Sequence, residues 1–260
     1  MNVDIRTLGL FLLVGAGAAS PAAAQLTFPE AEQYSFRLQA RLWGPTLSSE
    51  VQFSGRQEGT VIDVTRDLAV EDESTFELRA SVQLGLGHKI RLGYTPLRYT
   101  GEKDLTREIR FGDTTYPRGT NLHSSLKGAY YSGDYEIDLF KGSTGYVGAI
   151  FGAKVFDIDA VLVAPNRGDR DVETVRVPVP VVGVVGQAYY SRFSAGAELS
   201  GFSIGPTANF IEFYANGRFE ISSMLGIEAG YRIFTVHGEH DDDKLDLTLG
   251  GLYFGAEVNF

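Results

Sequence analysis

The chain of 260 residues contains no cysteine, which removes disulfides, thiol nucleophiles and thiolate metal sites together. No window approaches 18 consecutive apolar residues, so no helix can be drawn across a bilayer. Positive charge is scarce as well. The 23 Lys and Arg stand against 33 Asp and Glu, a formal net charge of −10, and a chain without a basic excess is poorly suited to nucleic acid. Helical amphipathicity is also missing: no segment carries the i, i+3, i+4 apolar stripe that would cover a sheet face.

What the sequence does carry is alternation with a period of two, the mark of a strand. Thr75–Leu86 shows it most cleanly, with Phe76, Leu78, Ala80, Val82, Leu84 and Leu86 against Glu77, Arg79, Ser81 and Gln83. The last residues repeat it: Leu252, Phe254, Ala256, Val258 and Phe260 face one way, and Tyr253, Gly255, Glu257 and Asn259 the other. Similar segments recur along nearly the whole chain, and the abundance of Gly (31), Tyr (13) and Phe (17) suits tight turns, curved strands and interfacial aromatic girdles. The pattern predicts an all-β fold, a transmembrane antiparallel up-and-down barrel of ten strands. Eight follow if two segments are loop hairpins, and twelve if the long first strand splits. A soluble β-sandwich is the competing architecture.

Residues 1–24 are set apart from that fold. A short apolar run, Leu8–Val14, and Ala22-Ala23-Ala24 before Gln25 read as a secretory signal peptide, leaving 25–260 as the barrel domain. Within the barrel, the shift of apolar residues to odd positions after Gly44-Pro45 (Leu47, Val51, Phe53) predicts a bulge or bend. Ser54–Ser74 is expected to be an outside loop holding Asp67, Glu71, Asp72 and Glu73. Leu105–Leu126 is expected to be a long hairpin with Phe111-Gly112-Asp113-Thr114 near its tip, and Pro165–Glu173 a charged loop. Pro178 and Pro180 belong at a bulge or above the lipid band, because proline removes ladder donors. Short turns alternate with longer loops, which places both chain ends on the short-turn side, the periplasm.

Turning the apolar positions outward leaves an inward set rich in ions: Arg37, Arg41, Glu77, Arg79, Arg91, Lys154, Glu198, Arg218, Glu220, Glu228, Arg232 and Glu257. In a narrow lumen such ions are expected to pair across strands, since an unpaired buried charge is costly. Register suggests Arg218 opposite Glu228, and Glu257 beside Arg37 at barrel closure. The alternative is a selective, water-filled pore. Outside the lumen, His237-Gly-Glu239-His240-Asp241-Asp242-Asp243 is the most suggestive cluster, able in principle to hold a divalent cation or to activate water; its competing reading is a hydrophilic hairpin tip. His123-Ser124-Ser125 is a weaker candidate and His88 a turn residue. No catalytic set and no cofactor site is predicted.

The C-terminal Phe260, with Phe254 and Val258 at alternate positions before it, resembles the signal read by the Gram-negative barrel-assembly machinery. Trp43-Gly-Pro-Thr-Leu-Ser48 with Asp67-Leu68, His88-Lys-Ile-Arg-Leu-Gly-Tyr94, Leu105-Thr-Arg107 before Phe111-Gly112, and the Asp-rich turn before the last strand resemble Gram-negative outer-membrane β-barrel proteins of the small OmpA/OmpW-like kind. That resemblance implies an integral outer-membrane protein with an envelope-structural or small-solute channel or binding role. It implies as partners outer-membrane lipid and lipopolysaccharide, and the assembly machinery with periplasmic chaperones during biogenesis; the net charge of −10 is compatible with acidic outside loops that meet lipopolysaccharide through bridging divalent cations. A known outer-membrane protease family also has ten strands and rim His and Asp residues, but its acidic-pair and Asp-x-His motifs are absent here, and the Ser/His motif of lipid A deacylases is not reproduced. A rim enzyme, lipid A-modifying or protease-like, and a surface adhesin carrying its aromatics on the Leu105–Leu126 hairpin are the alternatives.

Overall fold

The computed structural model describes residues 34–260 apart from Leu86, Pro206 and Asp241, and of His240 the backbone alone. The expected signal segment, 1–24, lies outside the described residues. In chain order the elements are β1 (Phe36–Gln52), β2 (Ile62–Asp63), α1 (Val64–Leu68), β3 (Thr75–Gly85), β4 (His88–Asp104), β5 (Ile109–Phe111), β6 (Thr114–Tyr116), β7 (Asn121–Gly142), β8 (Gly145–Ala164), β9 (Asp169–Tyr190), β10 (Phe193–Ile204), β11 (Ala208–Glu220), β12 (Leu225–His240) and β13 (Asp243–Asn259). Ten of the strands form one antiparallel sheet in the order β13-β12-β11-β10-β9-β8-β7-β4-β3-β1, and β13 pairs back onto β1. The closing register runs unbroken from Arg37↔Asn259 to Gln52↔Lys244. Closure leaves no unpaired sheet edge, and it makes the fold an antiparallel barrel of ten strands.

Both described chain ends and the short connections, including Ser143-Thr144 and Ser191-Arg192, lie at one end of the barrel, called here the terminal end. The long connections between β1 and β3 and between β4 and β7 lie at the other, the loop end. Around the middle, the outer wall is apolar: Leu42, Leu78, Leu92, Phe151, Val182, Ile211, Leu252 and Phe254 are all exposed. Water would leave that band uncovered, and lipid covers it.

Four local expectations need correction. Gly44-Pro45 makes no bulge. The even-odd burial of β1 continues through it without a slip, and Leu47 faces inward like Trp43 and Arg41. The apparent phase change is a change of medium, because beyond Trp43 the interior is apolar and the exterior carries Thr46, Ser48 and Glu50. Secondly, the connection 53–74 is a folded cap, with β2 and α1 inside it and Ile62, Val64, Leu68 and Val70 buried. Thirdly, the 105–126 stretch turns at Gly112-Asp113, between β5 and β6, but folds across the barrel mouth, burying Leu105, Ile109, Phe111 and Tyr116. Lastly, the β8–β9 loop is only Pro165–Gly168, because both strands run on past the lipid band. β10 accompanies β9 only as far as Gly201↔Val182, so Pro178 and Pro180 sit on a one-sided stretch of β9, where a missing N–H is tolerated.

Candidate functional site in the barrel lumen

Inward positions on the terminal half of the strands carry ions, and cross-strand register brings opposite charges within reach. Arg41 bonds both oxygens of Glu228 at 2.8 and 3.0 Å and reaches Glu77 at 3.3 Å. Arg91 grips Glu198 with two nitrogens, at 2.7 and 3.1 Å, and lies 3.1 Å from Glu136. Lys154 holds both oxygens of Asp134, at 2.9 and 2.8 Å, and Lys89 bridges Glu136 and Asp138. Arg79 lies between Glu77 and Glu198, at 3.8 and 3.9 Å. Arg232, fully buried, donates twice to Glu212 Oε1 and once to Thr95 Oγ1. With Arg91–Asp134 at 3.7 Å, Lys154–Glu212 at 3.5 Å and Arg232–Glu77 at 3.8 Å, these contacts join interior ions of eight of the ten barrel strands into a connected web.

The two register pairs read from the sequence have distinct fates. Arg218 and Glu228 are cross-strand neighbours, but the Glu228 carboxylate is taken by Arg41 and by Gln39. Arg218 Nε turns instead to Glu257 Oε2 at 2.9 Å, close enough for an ion pair but at an angle that makes no hydrogen bond. Arg37 lies 3.8 Å from the same Glu257 and bonds Asn259 at 2.7 Å. Lys89, Asp134, Glu136, Asp138 and Glu212 belong to the web and were not singled out from the sequence. Their signal was present: Ile90, Leu92, Tyr131, Tyr135, Ile137 and Ile211 alternate with them on β4, β7 and β11.

Arg232 marks the level where the lumen changes character. Its guanidinium carbon sits 4.5 Å from the Trp43 ring, 4.8 Å from Tyr130, 5.1 Å from Tyr214 and 5.3 Å from Phe234, a cage suited to a desolvated cation. Gly230, one inward position away on β12, leaves the space that the Tyr253 ring fills; a Cβ there would lie 2.7 Å from that ring. Beyond Arg232 the interior is a buried aromatic and aliphatic core. Tyr130 and Phe234 stack at 5.5 Å, Phe156 packs on Phe234 at 5.7 Å, and Leu47, Leu97, Leu122, Leu162, Leu247 and Leu249 continue it toward the loop end.

The cap completes that core and is locked by polar contacts. Asp63 caps α1 by accepting from the Arg66 N–H at 2.8 Å. Asp67, expected in an exposed loop, is buried and accepts from Arg107 at 2.5 Å and from the Asp63 N–H at 3.1 Å. Burial alone would raise its carboxyl, but the bonds from Arg107 and Asp63 and the nearby Arg107 and Arg66 charges hold it below the ordinary aspartate value. The β5–β6 hairpin docks on β9 through Tyr116 and Thr114, which both donate to Asp171, at 2.5 and 3.0 Å. Burial followed by the Asp171 carboxylate pushes the Tyr116 phenol up.

The loop-end candidates do not converge. His237 Nδ1 lies 2.5 Å from Asp246 Oδ1 on the outer wall of β12–β13, and His123 Nε2 lies 3.4 Å from Glu102 on the outer wall of β4–β7; four strands separate β12 from β7 whichever way round the barrel is taken. Asp242 and Asp243 staple the last turn to the cap: Ser54 Oγ donates to the Asp242 carbonyl at 2.9 Å and the Ser54 N–H to Asp243 Oδ1 at 2.6 Å. Asp241 and the His240 side chain lie outside the described residues. Among the described residues no group of three or more His, Asp or Glu is arranged to hold a metal. At the terminal end, His88 Nδ1 meets the Tyr135 hydroxyl at 2.8 Å. Phe254 and Phe260 are exposed on the outer wall, with Phe260 6.0 Å from Phe36, while Val258 is partly covered.

No family model and no curated protein matches the chain. Solved structures do match. The outer membrane protease OmpT from Escherichia coli superposes with a TM-score of 0.52 at 11% identity, covering 88% of this chain and 100% of that one. The fold is that of an outer-membrane β-barrel. Ail, the attachment invasion locus protein of Yersinia pestis, and Neisserial surface protein A also align, with TM-scores of 0.37 and 0.35 at 10% and 15% identity; each covers 87% of this chain, and 99% and 97% of its own.

Proposed function

We propose that the protein is an integral barrel of the Gram-negative outer membrane with an envelope-structural or solute-binding role, its lumen closed to steady flow. The observation that carries this reading is the Arg232 level. There a fully buried guanidinium, held by Glu212 and caged by Trp43, Tyr130, Tyr214 and Phe234, lies beneath a capped apolar core of buried side chains. Opening a path would mean stripping paired ions and a packed core at once. The short-turn end is then periplasmic and the capped end outside, the usual asymmetry of such barrels.

The outer wall supports lipopolysaccharide as the lipid partner. Arg98 and Lys127 are register neighbours on β4 and β7, both exposed, and neither makes an ion pair among the described residues. They stand two residues beyond Pro96 and Ala129 and four beyond Tyr94 and Tyr131, whose rings lie 5.4 Å apart at the edge of the apolar band. Aromatics followed at once by cations suit an interface of acyl chains and phosphate headgroups. In a chain of net charge −10, such a patch stands out. Contacts with assembly factors during biogenesis, through Phe254, Val258 and Phe260, form part of the same reading. We read the chain as non-enzymatic: although one matched structure is a protease, the two His–carboxylate pairs here stand on separate walls and do not face a common point.

The test is single-channel recording. Refolded, signal-free protein in a planar bilayer is expected to be silent while remaining folded, as judged by heat-modifiable migration. Steady conductance steps from the unaltered protein would overturn the closed-lumen reading.

A further inference from the structure

Between the terminal end and Arg232 the web leaves a cavity of about 60 Å³. One water needs only about 10–15 Å³ on that measure, so the space takes several waters or one small ion. Its wall is electrostatically one-sided. Six cations line it, Arg37, Arg41, Arg79, Lys89, Arg91 and Arg218, against two carboxylates, Glu136 and Glu198. Glu77, Glu228 and Glu257 balance the arginines from behind and are not part of the wall.

The hydrogen-bond accounting leans the same way. Three wall residues bring buried donor nitrogens that lack hydrogen-bond partners: Arg91 Nε, Gln187 Nε2 and Arg218 Nη1. A single wall acceptor, Asn216 Oδ1, is in the same position. Arg218 is 7% exposed and Gln187 9%, so bulk water does not satisfy them. Leaving such donors unmet is costly, and guanidinium forks match planar or tetrahedral oxyanions better than they match a neutral water.

We propose that this cavity binds one small oxyanion, of the size of phosphate or a short carboxylate, entering from the terminal end. The inference deepens the solute-binding part of the proposed function and rests on that part, not on closure of the lumen. Arg218 contributes Nη1 while its Nε stays with Glu257, Gln187 contributes a neutral N–H from β9, two strands away from β11, and Arg91 on the facing β4 contributes Nε while its other nitrogens hold Glu198.

Isothermal titration of the refolded barrel in zwitterionic detergent, at constant sodium chloride, tests this with inorganic phosphate and then acetate. Saturable binding of one phosphate or one acetate per chain is expected, weakened about tenfold or more in Arg218→Gln. Arg176→Gln, at an exposed position paired with Asp157 and outside the cavity wall, is expected to bind as the parent does. If Arg218→Gln does not fold, Gln187→Leu carries the test, with a weakening of about threefold or more expected. Absence of saturable heat with both anions, a response that follows ionic strength alone, or unchanged affinity in the folded inner variants would overturn the proposal. The measurement needs no bilayer, so its failure is separable from that of the closed-lumen reading: a conducting barrel that binds phosphate sinks only the latter.

Discussion

On one strand, the two halves of this barrel obey opposite rules. Through the lipid band β1 turns Leu38 and Leu42 outward and Arg37, Gln39 and Arg41 inward; beyond Trp43 it turns Thr46, Ser48 and Glu50 outward and Leu47 inward. The backbone does not change phase between them, and Leu42 is 54% exposed where Leu47 is 5%. A period of two divides a strand into two faces without saying which face is dry. The medium outside decides: lipid draws apolar side chains out and leaves ions to pair inside, and water beyond the headgroups restores the order of a soluble protein.

Substitutions can break this contrast, and the largest effect is expected where the halves meet. Arg232→Ala leaves Glu212 and Glu77 buried with fewer partners and empties the aromatic cage, so it should destabilise by about 3–5 kcal/mol in urea unfolding from lipid or detergent. A loss below about 1 kcal/mol would mean that water already reaches this level. Next come paired substitutions on the outer face of β4. Leu92→Arg in the lipid band should cost about 2–4 kcal/mol, whereas Thr100→Arg, beyond the band, should stay within about 0.5 kcal/mol.

The smallest effect concerns the cap. The Asp67 carboxyl is depressed in the folded state, so its contribution is present above the ordinary aspartate value of about 3.9 and is lost as pH falls through the lower folded value. Acidification below about pH 4 should therefore loosen the cap. The single tryptophan, Trp43, packs beneath it and reports the change as increased quenching by acrylamide. Asp67→Asn should blunt that acid transition, and an identical transition in the variant would show that other carboxylates govern it.

Much of the lipid-band half was legible because its rule is local. Phe76, Leu78 and Val82 against Glu77 and Arg79 announce both a strand and its two faces, and Arg218 can be placed opposite Glu228 by counting back from one turn. Which carboxylate Arg218 would choose was not legible, since Arg41 approaches from the barrel's closing seam and takes Glu228 first. The loop-end half was read poorly for a physical reason. Ile62, Leu68, Ile109 and Phe111 lie in short segments whose burial depends on contacts between distant stretches, such as Phe53 against Phe111 at 5.1 Å. Treating every apolar residue as lipid-facing turned the inward Leu47 into evidence for a bulge. The aromatic tip that would have served an adhesin is likewise inside, with Phe111 3% exposed.

The measurement that tests the inversion most directly uses the absence of native cysteine. Single cysteines at the outward positions Leu42 and Ser48 and at the inward position Leu47, each carrying a nitroxide in lipid vesicles, can be compared for collision with oxygen and with a water-soluble nickel complex. The account predicts oxygen dominance at 42, nickel dominance at 48 and protection from both at 47. Lipid-like collision at 47 together with protection at 48, as a phase slip at Gly44-Pro45 would produce, would contradict it.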